Sequence, residues 1–563
     1  MYGSGSASDR ANLSATHYLY WEIMFSKLTL YYHTLEYLKF KQVFYRLYYF
    51  FYKPKINLTI KNNEIRKISS LIKPNFIQKD PLYFNDNAAT FLNYTVDISD
   101  KKIWTDLLHA RLWLYNLHYF DALNAENSEQ QKIAYRLLER WMDENPPGQG
   151  IGWEAFPTSL RIINIIKYAL NGGALSEKVT TLLYLQARLL NKKCEYHLLG
   201  NHLYENFGAL TIAGLFFNTP ESAKWFKKGY KGLQKEIKEQ ILNDGGHFEL
   251  SPMYHGIFLE GLLDLQVIFE IYNKAFLWKN EVQLMLNWLN FMKRSNQEIA
   301  YFNDAANYIF SSPLELFHYA ESLGYKIGKA DNVINHLIDS GYIVLNSHNM
   351  KLICDVGNIG PDYLPGHGHA DALSFELMIN ESPVFVNLGT SCYGNSDRRL
   401  FERGTSAHNT VVADDENSSE VWGGFRVAKR ARVSDICIIK NNNTYSIKAT
   451  HDGYARIKKN LFHVRTWNMC ESSVEIIDNL TASVENTVAY FHLHPDCKIK
   501  SQTEKQIIIQ LKNNVEIMLK TDNDFDIIDN LYAHSFGQLE QSKSIKIKLD
   551  SCKDAIYCVS KIN

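Results

Sequence analysis

Near residue 335 the hydrophobic period of this 563-residue chain changes from about 3.6 to 2, and that switch constrains the fold more than any other feature. Before it, Trp104 to Leu123, Ser128 to Asp143, Thr158 to Leu170, Ser176 to Leu199, His202 to Phe217, Pro220 to Leu242 and Pro252 to Lys274 carry apolar residues at three- and four-residue steps. Weaker helical windows follow at about 279–295 and 313–323. Start and stop residues agree with this reading, since Thr219 can cap a helix that Pro220 opens and Asn171-Gly172-Gly173 ends another. Helices in series with short connections pack as antiparallel hairpins. The expectation over residues 101–332 is an all-α, incomplete (α/α) toroid.

After the switch, Tyr342–Leu345, Lys351–Cys354, Ser374–Ile379, Asn409–Val412, Thr487–Leu493 and Gln506–Leu511 read as short strands broken by Asn, Asp and Gly. Residues 333–563 are therefore expected to form an antiparallel β-sandwich. The chain is multidomain, α then β. Residues 11–100 precede both parts, as an aromatic, basic helical segment over about 15–55 and an irregular connector over 56–100. Such a helix can rest on a membrane surface, but packing on its own domain is the expectation here. Residues 1–10 read as a tag or linker remnant.

A net charge of -1 gives no bulk electrostatic case for nucleic acid. The eight cysteines form no CxxC pair or dense framework, so scattered, mostly buried thiols are expected. No run of 18 apolar residues is present, so no transmembrane span is expected. With no signal-peptide core the default location is cytoplasmic, or periplasmic or secreted if the native start has been removed.

The chemistry-bearing residues fall into a few short stretches. Gly366-His367-Gly368-His369-Ala370-Asp371 places two histidines on one glycine-flanked turn. Gly200-Asn201-His202-Leu203-Tyr204-Glu205-Asn206 sits at a helix start, where Glu205 shares a helix face with His202 and can orient it. In Asp244-Gly245-Gly246-His247-Phe248-Glu249-Leu250-Ser251-Pro252-Met253-Tyr254, Pro252 opens a helix with Tyr254 in its first turn. Tyr254 can donate a proton, or accept one if cationic or amide neighbours favour its phenolate. His369 and His408 can hold zinc with a third, oxygen ligand. Arg398, Arg399 and Arg403 suit an acidic substrate or a solvated charged face.

Together these stretches resemble the heparinase II/III family of polysaccharide lyases. Asn116-Leu117-His118-Tyr119-Phe120, Trp153-Glu154-Ala155-Phe156-Pro157-Thr158-Ser159-Leu160-Arg161, the Asn201–Asn206 stretch, the histidine turn and Ala407-His408-Asn409-Thr410 carry the resemblance, which covers nearly everything after about residue 25. The Asn116 and Trp153 motifs are most similar to the subset found beside bacterial surface-polysaccharide genes. The resemblance implies a toroid and a sandwich with a catalytic cleft between them, and β-elimination at a uronic acid that leaves a 4,5-unsaturated sugar. By motif, Asn201 with His202 would neutralise the substrate carboxylate, Tyr254 with His367 would move the protons, and Glu205 would orient His202. His118, Tyr119, Trp153, Glu154, Arg161 and Arg403 would support or bind substrate.

His369 and His408 match family zinc ligands, whereas Asn387 stands where the family usually has Asp. A neutral amide is a poorer ligand than a carboxylate, which weakens the site for zinc, and the elimination residues do not require the metal, so any zinc here would be structural. The partner expected is an acidic polysaccharide. Two other readings are a glycoside hydrolase using Glu154, Asp244 or Glu249, and a non-catalytic glycan-binding or assembly protein. The second is disfavoured because binding needs no proton-transfer set.

Overall fold

The computed structural model describes residue 24 and residues 26–68, 74–78, 82–295, 297–328, 333–347, 349–441, 444–550 and 552–562. The remnant read at residues 1–10 lies outside these. Helix α1 (Phe40–Phe51) belongs to the N-terminal arm. The helical domain then follows the periodicity closely, with α2 (Arg111–Tyr119), α3 (Ser128–Glu144), α4 (Ala155–Leu170), α5 (Glu177–Lys192) and α6 (Gly200–Phe216). It continues through α7 (Pro220–Gln240), α8 (Pro252–Ile271), α9 (Lys279–Met292) and α10 (Pro313–Ser322).

Local chemistry sets the starts. Asn127 caps α3 by accepting from Glu129 N at 2.8 Å, and Ser176 caps α5 from Val179 N at 3.3 Å. Thr219 and Ser222 form a capping box ahead of α7, with Pro220 at its first turn. Helices α6 and α8 are buried on nearly every face, whereas α3 and α7 keep charged residues outward. The domain is thus layered, with apolar helices inside and amphipathic ones outside.

The sequence reads a single helix over Trp104–Leu123, and the structure breaks it. Phe120 takes φ 59°, so α2 stops at Tyr119 and a 3-10 turn over Asp121–Asn124 carries the chain on. The connector is also more ordered than expected. Leu82–Asn85, Ala88–Phe91 and Tyr94–Asp97 pair as a three-stranded antiparallel sheet, β1–β3.

Three large antiparallel sheets and a two-stranded ribbon, Val421–Trp422 with Arg426–Val427, form the described part of the β domain. The first runs β4 (Ile334–Leu337), β5 (Tyr342–Ser347), β6 (Met350–Asp355), β7 (Phe375–Ile379), β8 (Ser382–Phe385) in spatial as well as chain order. A four-stranded sheet orders Phe525–Ser535, Gln538–Lys548, Thr487–His492 and Val411–Ala413. The eight-stranded sheet begins at Val433–Asn441, ends at Lys498–Gln502, and includes His463–Met469, whose residues alternate strictly between buried and half-buried. The inner faces meet in one core containing Leu352, Phe375, Phe491, Trp467 and Tyr557. All eight cysteines are free, but only Cys194, Cys354 and Cys497 are buried, fewer than expected.

The two domains share their cores. Val386, Tyr532 and Phe536 of the β domain join the helical core, and Trp288, Met292 and Phe302 pack with Tyr342, Val344 and Ile353. Arg294 is clamped across this boundary by Glu376, with Nε to Oε2 at 2.6 Å, and donates to the Tyr532 hydroxyl at 2.7 Å. Tyr301 and Asn387 donate their backbone N–H groups to the same carboxylate, at 3.0 and 3.1 Å. The domain boundary is a packed interior rather than a hinge.

Helix α1 corrects another expectation. Its inner edge is seated on both domains, yet Gln42 is its one buried residue, and most of its aromatic side chains face outward. Among the described residues no helix is long and apolar enough to cross a membrane.

Glu376→Ala would leave the Arg294 guanidinium charged in a dry interior. We expect a loss of about 3–5 kcal/mol, read as a lower urea midpoint, with both domains unfolding together.

Candidate active site

On the helical side the site begins where the chain turns into α6. Leu199 takes φ 66° and Gly200 φ 56°, left-handed values that cost energy at the leucine and suit the glycine. A Cβ on Gly200 would stand 2.5 Å from Leu364 Cδ2 of the β domain, so a larger residue would displace that side chain besides straining the left-handed backbone. Asn201 and His202 follow in the first helical turn, both half-buried. The Asn201 amide has no side-chain hydrogen bond among the described residues. His202 packs on Phe156 at a ring separation of 4.4 Å.

His202 Nδ1 lies 3.3 Å from Glu195 Oε2, an ion-pair contact that the helical spacing to Glu205 does not reveal. The reason is directional, because helical side chains lean toward the N-terminus and His202 reaches back to the loop before α6. Burial opposes its charge, but Glu195, with Glu249 and Glu205, raises its pKa above the ordinary value. The imidazole is thereby inclined toward the cation.

Tyr254 enters from the first turn of α8, which Pro252 opens and Ser251 caps through Tyr254 N at 3.2 Å. Its hydroxyl is 2.9 Å from that of Tyr393, and its ring lies 3.9 Å from the His367 ring. Burial, then Asp304 and Glu249, push its pKa well above 10.0. The neighbours that would favour a phenolate are outweighed, and Tyr254 stays protonated.

The histidine turn is held from below by a residue that the sequence reading passes over. Asp304, in the irregular loop between α9 and α10, is fully buried and accepts from His367 Nδ1 and His369 Nε2, both at 2.8 Å. Arg399 grips the same carboxylate with two nitrogens, Nη2 to Oδ2 at 2.7 Å, and Thr390 Oγ1 adds a contact at 3.3 Å. Asp304 N also donates to His367 O at 3.0 Å, so the loop and the turn are clipped together by main chain as well. Burial alone would raise the pKa of Asp304, but Arg399 and the two histidine bonds hold it well below the carboxylate range.

The arginines are neither a solvated face nor free for substrate. They lie on a short helix, α11 (Asp397–Arg403), that the sequence reading misses. Arg399 serves Asp304, and buried Arg403 donates to Gly368 O at 3.2 and 2.8 Å, fixing the histidine turn. Arg398 pairs with Glu402 at 2.7 Å. His118, Trp153 and Arg161 are also core residues. His118 lies between Trp104 O at 3.0 Å and Trp141 Nε1 at 2.9 Å, while Arg161 bonds His118 O and Gly152 O and covers the Trp141 ring. Trp153 is buried and donates to Asn145 O. Tyr119 is buried beside Phe156.

The carboxylates a hydrolase would need are dispersed. Glu154 is tied to Arg111 and Tyr115, and Asp244 to Ser340 N at 2.7 Å. Only Glu249 reaches the histidine turn, 3.6 Å from His367 Nε2. It is buried with neither oxygen hydrogen-bonded, and burial raises its pKa.

The metal reading meets a self-satisfied cluster. His369 Nδ1 faces His408 Nε2 at 3.2 Å, a distance one shared proton spans. Burial, with Arg399 and Arg403, pushes His369 down to about 4, and burial holds His408 well below the ordinary value, so both rings are neutral. The Asn387 oxygen already accepts from Asn409 N at 3.2 Å. Among the described residues no group of three or more His, Cys, Asp or Glu side chains is gathered for a metal.

The same construction recurs inside the sandwich. Arg465 grips Asp478, which accepts from His463 Nε2 at 2.8 Å, and His463 Nδ1 faces His451 Nε2 at 3.2 Å. Two imidazoles and an engaged amide do not complete the closed four-ligand set of a structural zinc.

A family description of the heparinase II/III N-terminus matches residues 26–320, and one of the heparinase II/III-like C-terminal region matches residues 331–558. The chain belongs to the heparinase II/III family. A heparin-sulfate lyase of Bacteroides thetaiotaomicron is 25% identical over 364 residues, 55% of this chain and 52% of that protein. One from Bacteroides stercoris is 24% identical over 340 residues, 56% of this chain and 48% of its own length. The chain thus spans about half the length of these relatives. Among solved structures, heparinase III superposes with TM-score 0.64 at 19% identity, covering 84% of this chain and 79% of that one. Heparan sulfate lyase HepC from Pedobacter heparinus gives TM-score 0.55 at 17% identity, covering 85% and 81%. These place the toroid-and-sandwich fold within the family.

Asp304→Asn would remove the charge that Arg399 and the histidines surround. A depressed native pKa stabilises the fold above the unfolded value of about 3.9, and this is lost as pH falls toward the native value. Below about pH 4 we therefore expect wild-type stability to drop steeply and Asp304→Asn, already weaker at neutral pH, to change less, as read from urea melts across pH.

Proposed function

We propose that this protein is a polysaccharide lyase that cleaves a uronate-bearing, acidic glycan by β-elimination. What carries the reading is the proton arrangement at His367. Asp304 accepts the hydrogen bond of His367 Nδ1–H, which leaves Nε2 as the ring nitrogen that can accept a proton, next to a Tyr254 that stays protonated. One group is ready to accept a proton and its neighbour to give one.

In this scheme the substrate carboxylate lies against the Asn201 amide and the cationic His202. Their hydrogen bonds stabilise the enolate-like state that forms as C5 loses its proton to His367 Nε2. The electron pair forms the C4–C5 double bond and expels the C4 oxygen. Tyr254 protonates that oxygen, and Tyr393 bonded to its hydroxyl holds it in line. No step passes through a metal. The names of the relatives favour a glycosaminoglycan of the heparan type as the first substrate class to try.

The test is ultraviolet absorbance of the conjugated unsaturated uronate, followed on a panel of acidic polysaccharides. We expect it to rise with wild type and to fall by about 10²–10⁴-fold in Tyr254→Phe and in His367→Ala. New reducing ends without absorbance would replace elimination with hydrolysis, and full activity in Tyr254→Phe would remove it from the acid role.

The acid form of Tyr254 is the active one and its pKa is raised, so it persists past the ordinary tyrosine value. Tyr254 deprotonation should therefore limit the rate only above about pH 10, so that any earlier descending limb belongs to His202 losing its charge and survives in Tyr254→Phe. A descending limb below pH 9 that vanishes in Tyr254→Phe would contradict this.

A further inference from the structure

We propose that the N-terminal arm, residues 26–55, docks this protein on an anionic lipid surface. The proposal does not depend on the elimination chemistry.

Helix α1 is fixed to the body by one edge only. Gln42 Nε2 donates to Tyr363 O at 3.1 Å, Tyr49 OH to Cys194 O at 2.8 Å, and Lys39 pairs with Glu239 at 2.5 Å. These bonds set its rotation, so the opposite side is held outward. That side presents Phe40, Phe50 and Phe51, which are 81%, 75% and 82% exposed, with Phe44 and Leu47 between them. The preceding helical residues add exposed Leu28, Tyr32 and Leu35. Scattered exposed apolar residues are ordinary, but a contiguous aromatic face marks a contact surface.

Charge selects the occupant. Residues 26–55 carry six basic residues against the single acid Glu36, in a chain whose net charge is -1; Lys39 is taken up by Glu239 and Lys41 lies over the Tyr196 ring, which leaves Lys27, Arg46, Lys53 and Lys55 exposed. The arm is the basic part of a slightly acidic protein. A second copy docking through the same face would oppose two like-charged arms, because a two-fold contact pairs a patch with itself. An anionic bilayer matches both properties. Phenylalanine and leucine enter the acyl boundary, tyrosines sit at headgroup level, and lysines extend along their stems to the phosphates. With 12 residues and no membrane-spanning character among the described helices, α1 would lie in the interface rather than cross it.

The arm also touches the segment that carries the site. Gln42 holds Tyr363, three residues before Gly366 of the histidine turn. Tyr37 lies under Arg430 at 3.9 Å, and Tyr31 meets the Trp422 ring edge-on at 4.8 Å. Docking would therefore seat both domains on the surface, not a free tail.

The experiment is co-sedimentation of the full-length protein with vesicles of phosphatidylcholine alone or mixed with phosphatidylglycerol. We expect binding to the anionic vesicles, at least about tenfold weaker to the neutral ones. Phe40→Ser/Phe50→Ser/Phe51→Ser should abolish it without shifting the melting temperature, since these side chains touch chiefly one another and solvent. Lys53→Glu/Lys55→Glu should lower anionic-vesicle affinity at least about tenfold and leave the melt unchanged.

Four results would overturn the proposal. One is wild-type protein remaining in the supernatant with both vesicles, and another is equal binding by the triple variant. A third is a dimer in sedimentation equilibrium that the triple variant abolishes, which would assign the face to a second copy. The last is vesicle binding only after residues 1–23 are removed, which would assign it to the chain's own start.

Discussion

A carboxylate with no access to water holds both halves of the site in register. Asp304 belongs to the loop that leaves the helical domain, yet four of its side-chain partners, Arg399, His367, His369 and Thr390, belong to the β domain. A buried anion is tolerated only when cations and hydrogen bonds surround it, so each partner is also required to stay. Arg399 is held by α11, and His367 and His369 by a turn that Arg403 pins through Gly368 O. One charge thus fixes a loop, a helix and a turn, and the orientation of the His367 ring follows from that network.

Backbone strain is built in around this hub, as it is at other turns of the chain. Leu199, Leu250, Asn303 and Leu373 all take positive φ, at 66°, 58°, 56° and 58°. Each adjoins a segment of the site, before Gly200, after Glu249, before Asp304 and after Asp371. A leucine in the left-handed region costs on the order of 1 kcal/mol, and the surrounding packing over-determines it. The fold spends some of its stability here on aiming side chains that a relaxed backbone would point elsewhere.

Much of the architecture was legible because it is local. Helix ends were written in Thr219, Pro220 and Asn171-Gly172-Gly173, and strands in their alternation. Tyr254, His367, Asn201 and His202 stand out because their motifs are short and contiguous. What stayed hidden depends on contacts between distant segments. Asp304 is a lone aspartate in an aperiodic loop, and Arg399 resembles a surface cation until its partner, 95 residues away, is known. His202 was paired with Glu205 by helical spacing, which does not reveal the contact that side-chain lean makes with Glu195. His118 and Arg161 look like ligands in a motif and are instead hydrogen-bonded struts among tryptophans.

The continuous interior across the domain boundary makes the two domains one mechanical unit. With Arg294 locked to Glu376 and aromatic residues of both domains interleaved, neither domain can turn against the other without exposing apolar surface and a buried charge. The spacing between the start of α6 and the histidine turn is therefore set by the fold itself, and a load on either domain is carried into the other.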